Sequence, residues 1–195
     1  MKKLALTTLL MSMFSLTHAE LINQQPSSSN TIAQYASMSL EQLVQAAQSG
    51  QASAQFLLGN RYKTGHGVKQ DQSQAFVWFK KAADQGVPYA MLNVGKMYAD
   101  GVGVKQDLNA AKTYLMKATK LGDNRASYNL ALLEERAKNY VNAYQWYELS
   151  TRDGMLDFKV KDMSEKKIVQ LAANLSSNDM RMARDRADRW IQSDE

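Results

Sequence analysis

The sequence contains no cysteine, and only two prolines and two histidines occur among its 195 residues. Without cysteine the chain can form neither a disulfide framework nor cysteine-ligated zinc, and it has no thiol nucleophile. His18 falls in an N-terminal segment that we expect to be removed, which leaves His66 as the single remaining histidine. Because the residue types of most catalytic sites are so scarce, we predict a protein that is not an enzyme and has neither a metal nor a cofactor.

Basic residues are in modest excess and are not clustered. The chain has 24 Lys and Arg against 19 Asp and Glu, a net charge of +5, and no basic run exceeds two residues. The 45% of hydrophobic and 22% of charged residues are typical of a globular protein. Nucleic-acid binders carry concentrated basic patches, so we do not expect nucleic acid as a partner.

The N-terminus has the pattern of a secretory signal peptide. Lys2 and Lys3 precede an apolar run over residues 4–16, and Thr17 and Ala19 supply small residues before a cut after Ala19. The apolar run is shorter than the roughly 20 residues that span a bilayer. We therefore predict a cleaved signal over residues 1–19, a periplasmic or secreted product and no stable membrane insertion after cleavage. Residues 20–38 are mostly polar and predict a flexible linker.

A 36-residue repeat organises the chain from residue 39 onward. The loops GHGVKQD and GVGVKQD match at six of seven positions. The first copy has Gly59, Tyr62, Gly65, Gly67, Asp71, Ala75, Trp78 and Gly86, and the second has Gly95, Tyr98, Gly101, Gly103, Asp107, Ala111, Tyr114 and Gly122. A half copy precedes them. A third copy, ending at Gly154, lacks four residues at the glycine loop. A fixed period of this size indicates a helical solenoid.

Each copy has the pattern of two helices joined by a glycine loop. We expect the first helix over residues 52–64, with Gly59 in its apolar stripe so that the second helix can approach closely. Gly65 and Gly67 supply the positive φ that ends this helix. Asp71 is the expected N-cap of the second helix. In the third copy we expect Asn139 alone to make the turn.

These positions resemble the Sel-1-like repeat, a relative of the tetratricopeptide repeat. The resemblance covers residues 39–154 and implies an all-α fold, an α/α superhelix (solenoid) of helix pairs. Residues 155–195 predict C-terminal capping helices, the last of which begins with a capping box at Ser176 and Asp179. Its expected inner face consists of Met180, Ala183, Ala187, Trp190 and Ile191, and its charged residues are expected to face outward.

The resemblance implies a binding surface on the concave face, which the first helix of each pair lines. The expected positions are Phe56, Asn60 and Lys63 in the first copy, Tyr89, Leu92 and Lys96 in the second, and Arg125, Tyr128 and Leu132 in the third. Aromatic and cationic side chains interleaved in this way suit a protein or peptide partner. In an equally weighted alternative, Phe56 and Tyr128 only fill space between repeats. We interpret His66 as a variable loop residue and Glu134 with Glu135 as part of a solvated face.

The predicted function is therefore that of a non-catalytic, exported repeat scaffold that binds a protein or peptide. The resemblance implies an adaptor or an immunity-type protein, and we expect a monomer. The alternative is a β-lactam-binding or β-lactam-hydrolysing enzyme of the Sel-1-repeat type. The absence of cysteine disfavours this alternative, since the related enzymes have disulfide-stapled repeats. We also expect no Ser-x-x-Lys nucleophile motif in the chain.

Overall fold

The structure is a computed structural model that describes residues 34–152 and 157–192. The predicted signal over residues 1–19, residues 20–33 of the predicted linker and Gly154 lie outside the described residues. The chain divides into two units at Ser39. Of the first unit the structure describes residues 34–38, in which residues 34–36 are helical.

The second unit is built from helices that pack on their neighbours in sequence. Its described residues form nine α-helices and no strand, namely α1 Leu40–Gln48, α2 Ala52–Thr64, α3 Gln72–Asp84, α4 Pro88–Asp100, α5 Leu108–Lys120, α6 Asn124–Arg136, α7 Tyr140–Ser150, α8 Phe158–Ala172 and α9 Ser177–Gln192. The pairs α2–α3, α4–α5 and α6–α7 make the most extensive contacts, while α8 and α9 both pack on α7. The predicted all-α superhelix with a C-terminal pair of capping helices is confirmed.

Side-chain caps and glycines fix where the helices begin and end. Asp71 Oδ1 accepts a hydrogen bond of 2.9 Å from the Gln74 N–H at the start of α3, and Asp107 caps α5 in the same way. Gly65 has φ of 76° and ends α2, as predicted. The loop therefore reverses the chain at low conformational cost, because glycine adopts left-handed backbone without steric strain.

Two glycines allow the helices of a pair to approach closely. A Cβ at Gly59 would lie 2.7 Å from Phe79 Cδ1, and one at Gly95 would lie 2.7 Å from Leu115 Cγ. Phe79 and Leu115 are fully buried. The close approach that the sequence predicts at these positions is therefore present in both copies.

The shortened turn of the third copy differs from the prediction. Residues 137–139 join α6 to α7, and Lys138 has φ of 60°. The expectation that Asn139 alone makes the turn is wrong, because this short connection places a left-handed residue before the N-cap. Lys138 adopts that conformation in place of glycine, and Asn139 is the N-cap.

The capping helix α9 covers the end of the array. Ala183 and Ala187 are fully buried, and the Trp190 ring lies edge-on to Trp146 with 5.0 Å between centroids. The side chain of Ile191 lies outside the described part. As expected, the charged residues of α9 from Arg181 onward are exposed. Two of them also form ion pairs at the surface, since Arg184 Nε donates to Glu148 Oε1 at 2.9 Å and Asp188 pairs with Arg152. These ion pairs fasten α9 to α7 and to the residues that follow it.

In the part of the chain that the structure describes, no helix is both long enough and apolar enough to cross a membrane.

Candidate functional site

A groove runs across the first helices of the three helix pairs. Its volume is about 610 Å³, and it is lined by Phe56, Asn60, Lys63, Tyr89, Leu92, Asn93, Lys96, Arg125, Tyr128, Asn129, Leu132 and Val160. All nine residues predicted for the binding surface are among these. The structure therefore brings the predicted residues of three copies together, while their role in binding stays a prediction.

Stacking in register explains why these residues meet. Phe56, Leu92 and Tyr128 recur at intervals of 36 residues and form one row across α2, α4 and α6. Residues one helical turn further along, at positions 60, 96 and 132, form a second row. Helices that occupy the same place in successive repeats present the same register to one surface. The groove is thus a direct product of the repeat.

Sequence reasoning missed three lining residues. Asn93 and Asn129 are also 36 residues apart and directly follow Leu92 and Tyr128, so the repeat period contained the signal for them. Val160 lies on α8, outside the repeat. No periodicity predicted that the capping region would contribute to the groove.

The aromatic residues of the groove are shared between the groove and the protein interior. The Phe56 ring lies 5.8 Å from Phe79 and 6.2 Å from Tyr89, measured between centroids. Tyr128 lies 5.5 Å from Tyr147. Phe56 and Tyr128 are half-buried. Each ring therefore fills space between helices and also leaves surface in the groove, which combines the two alternatives considered for them.

Arg125 carries a charge that the protein already balances. Its Nε and Nη2 donate to the two carboxylate oxygens of the buried Asp123 at 2.9 and 2.7 Å. These hydrogen bonds raise the pKa of Arg125. The guanidinium carbon also lies 4.5 Å from the centroid of the Tyr89 ring, within cation–π range. Arg125 is thus a rigid, charge-compensated part of the groove wall.

No carboxylate among the described residues pairs with Lys63 or Lys96. Lys63 Nζ donates to Asn93 Oδ1 at 2.8 Å, and Asn93 Nδ2 donates to the Tyr89 carbonyl at 2.7 Å. Burial and the nearby Lys96 lower the pKa of Lys63. Neither lysine forms an ion pair with an acidic residue among those that the structure describes. The groove therefore has positive charge at this point.

Outside the groove, the adjacent carboxylates Glu134 and Glu135 contact different partners. Glu134 is only 6% exposed, its Oε1 lies 2.6 Å from Lys112 Nζ, and Asn139 Nδ2 donates to its Oε2 at 2.9 Å. Burial alone would raise the pKa of Glu134, but these hydrogen bonds outweigh burial and lower it. The predicted solvated face is wrong for Glu134, because its carboxylate joins α5 to the α6–α7 turn.

A Ser-x-x-Lys spacing, typical of some serine-nucleophile enzymes, occurs on α8 at Ser164 and Lys167, so the expectation that the chain has no such motif is wrong. Ser164 is fully buried, donates to the Val160 carbonyl at 2.9 Å and accepts from Ser150 Oγ at 2.6 Å. Lys167 Nζ pairs with Glu135 Oε1 at 2.8 Å. Both side chains are thus engaged in helix packing, and their arrangement does not support the β-lactam alternative.

His66 is exposed in the loop after α2, as interpreted from the sequence. Within residues 34–152 and 157–192, no group of acidic residues and histidine could hold a metal ion.

Comparison with known families identifies the repeat. A model of the Sel1 repeat matches three consecutive stretches, residues 52–87, 88–123 and 124–155. The chain belongs to the Sel1 repeat family. The matched stretches contain the pairs α2–α3, α4–α5 and α6–α7, so the resemblance inferred from the sequence is confirmed. Sel1 repeats are protein-interaction modules and generally non-catalytic scaffolds.

Solved structures of other proteins share the Sel1 fold. A Sel1 repeat protein from Oxalobacter formigenes is 34% identical over 65% of this chain and 97% of that chain, with a TM-score of 0.53. A protective antigen of uropathogenic Escherichia coli with an SLR fold is 23% identical and has a TM-score of 0.67. The match covers 89% of this chain and 36% of the antigen, so this Sel1 chain spans about a third of the antigen's length.

A weaker likeness is to an immunity protein from Pseudomonas aeruginosa. It is 20% identical over 69% of this chain and 74% of that chain. Its TM-score of 0.30 is too low to indicate a shared arrangement of helices. No curated protein matches the chain in sequence.

Proposed function

We propose that this Sel1 repeat protein is a non-catalytic scaffold that binds an extended segment of another protein in the groove across α2, α4 and α6. The observation that carries the proposal is the set of nine predicted residues, drawn from three copies, that line this single groove. Aromatic side chains and Arg are enriched where protein interfaces have most of their binding energy. A groove that crosses three repeats also suits a partner segment without a compact shape of its own.

Two roles fit such a scaffold, that of an adaptor and that of an immunity-type protein that sequesters a harmful partner. Both require a stable complex and no turnover of a substrate. We further propose that the protein acts outside the cytoplasm, on the strength of the predicted signal over residues 1–19. Mass spectrometry of the protein purified from its own cells is expected to find Glu20 as the first residue. An intact N-terminus would contradict export by this signal.

Site-specific crosslinking tests the groove. A photoreactive phenylalanine analogue placed at Tyr128 is expected to form a covalent adduct with a partner protein in cells that naturally produce this chain. Tyr140 is the matched control, because it is 45% exposed and does not line the groove. Adducts at Tyr140 and none at Tyr128 would contradict the proposal.

A double substitution tests independently whether the groove aromatics are needed to bind the partner. Phe56→Ala/Tyr128→Ala removes two aromatic rings from the apolar row, and it is expected to abolish recovery of the crosslinked partner by affinity capture. Because the rings are half-buried rather than fully buried, we expect the helical circular-dichroism spectrum to be retained. Full recovery of the partner by a folded double variant would exclude this row as the binding surface.

A further inference from the structure

Among the residues that the structure describes, the half-buried Lys63 and the exposed Lys96 have no acidic partner, whereas the half-buried Arg125 and Lys167 do. Arg125 pairs with Asp123 at 2.7 Å and Lys167 pairs with Glu135 at 2.8 Å. Lys63, which is half-buried, has instead the amide oxygen of Asn93 at 2.8 Å. An amide oxygen satisfies a hydrogen bond but brings no negative charge. The positive charge at Lys63 is therefore left for something outside the described residues to balance.

The second lysine makes this imbalance larger. Lys96 is exposed on α4 and lines the same groove, and burial together with the charge of Lys96 lowers the pKa of Lys63. Two like charges near each other, one of them partly removed from water, destabilise each other's charged form. An anion between them would remove this repulsion and would gain two charge-assisted hydrogen bonds. The pair is thus suited to receive a negatively charged group.

The surroundings of the lysines indicate where such an anion comes from. Lys96 lies one helical turn from Leu92, in the row next to Phe56, Leu92 and Tyr128. A ligand that reaches both lysines therefore also covers an apolar strip. A lone ion could not use that strip, whereas a peptide with an acidic residue near an apolar one could use both parts.

We propose that Lys63 and Lys96 form an anion subsite that binds the side-chain carboxylate of an Asp or Glu in the partner segment, while an apolar residue near it packs on the row of Phe56, Leu92 and Tyr128. This inference rests on the proposed function, since it specifies the chemistry of the segment bound in the same groove. The complementary charges set the register of the segment, and the apolar contact supplies most of the buried area.

Selection from a library of random displayed peptides on the full chain tests the subsite. Enriched peptides are expected to share an acidic residue at a constant distance from an aromatic or aliphatic one. Selection on Lys63→Gln/Lys96→Gln is expected to lose the acidic preference. Lys69→Gln/Lys105→Gln is the matched control, because these exposed loop lysines lie outside the groove and their loss changes the net charge equally.

Binding of one enriched peptide measures how much the two lysines contribute to affinity. Fluorescence anisotropy is expected to show at least tenfold weaker binding to Lys63→Gln/Lys96→Gln and less than twofold change for Lys69→Gln/Lys105→Gln. Replacing the acidic residue of the peptide by its amide is expected to cause the same loss for the wild-type protein and no further loss for Lys63→Gln/Lys96→Gln. Circular dichroism verifies that each variant is folded.

The outcomes separate this inference from the proposed function. Groove-dependent enrichment of peptides without an acidic residue would overturn the subsite and leave peptide binding intact. An equal loss of affinity in both lysine variants would overturn the subsite in favour of a general charge effect. A selection that enriches no peptide dependent on Phe56 and Tyr128 would contradict the proposed function itself.

Discussion

Single residues set the spacing of the helices in each repeat. Gly59 faces the fully buried ring of Phe79, and Gly95 faces Leu115 in the equivalent place. Glycine in a helix interior costs roughly 1 kcal/mol compared with alanine. A Cβ at either position would overlap with a buried side chain of the partner helix. The close packing that glycine permits therefore offsets its cost in helix propensity.

Gly59→Ala is accordingly expected to destabilise the protein although alanine favours helix. The added methyl group must displace the Phe79 ring, and overpacking of this kind costs about 1–3 kcal/mol, against a gain of roughly 1 kcal/mol in helix propensity. Urea denaturation is expected to show a net loss of about 1 kcal/mol, the middle of the range that remains after the gain is subtracted. Combining Gly59→Ala with Phe79→Leu is expected to cost less than the two changes added together. An unchanged or increased stability of the single variant would contradict the packing argument.

The residue scale also shows where prediction from sequence succeeds. The positions of Gly65 and Asp71 have functions that short-range physics determines, namely positive φ and capping. Gly59 was predictable for another reason, because the repeat places Gly95 at the equivalent position. Glu134 shows the opposite case, because its burial depends on Lys112, which is 22 residues away in the chain and comes close only after the helices have stacked. Its environment therefore could not be predicted from its neighbours in sequence.

At the scale of elements, the repeats predict their own helices but not the departures from the repeat. The bounds of α2 follow the predicted 52–64, since the pattern, the apolar stripe and the terminal glycine agree. In the third copy the glycine loop is missing, and Lys138 takes a left-handed conformation that non-glycine residues rarely adopt. The sequence offers no local signal for that choice, because the geometry of α6 and α7 imposes it.

The groove is lined by helices of the repeat and by one helix outside it. Its two rows were predictable because residues 36 apart must share a surface once the repeats stack in register. The contribution of Val160 was not, since α8 belongs to the capping region and has no counterpart in the repeat. The contact of α8 with α6 decides that this helix borders the end of the groove.

At the scale of the whole molecule, a local perturbation in a solenoid mainly affects the repeats next to it. Each repeat contacts mainly the units beside it, so its stability depends on adjacent interfaces. The cap α9 meets α7 through the fully buried Ala183 and Ala187 and through the edge-on contact of the Trp190 and Trp146 rings. Loss of this contact should therefore loosen the C-terminal end and leave the N-terminal repeats ordered.

Ala187→Arg tests this locality. The substitution places a large charged side chain where the native side chain is fully buried, so α9 is expected to detach from α7. Hydrogen exchange followed by mass spectrometry is expected to show at least tenfold faster exchange in α9 and α7 and little change in α2 and α3. Ala173→Arg, at an exposed position after α8, is the control. Faster exchange throughout the chain would contradict the locality of the effect.

The in-register rows have a consequence for how recognition by this protein can change over time. Each repeat supplies one side chain to each row, so duplication of a single 36-residue unit would lengthen both rows and leave the existing contacts in place. Point substitutions at positions 60, 96 and 132, none of which is fully buried, would alter one groove contact at a time. Descendants of such a gene could thus acquire longer or different targets while their helices continue to fold in the same way.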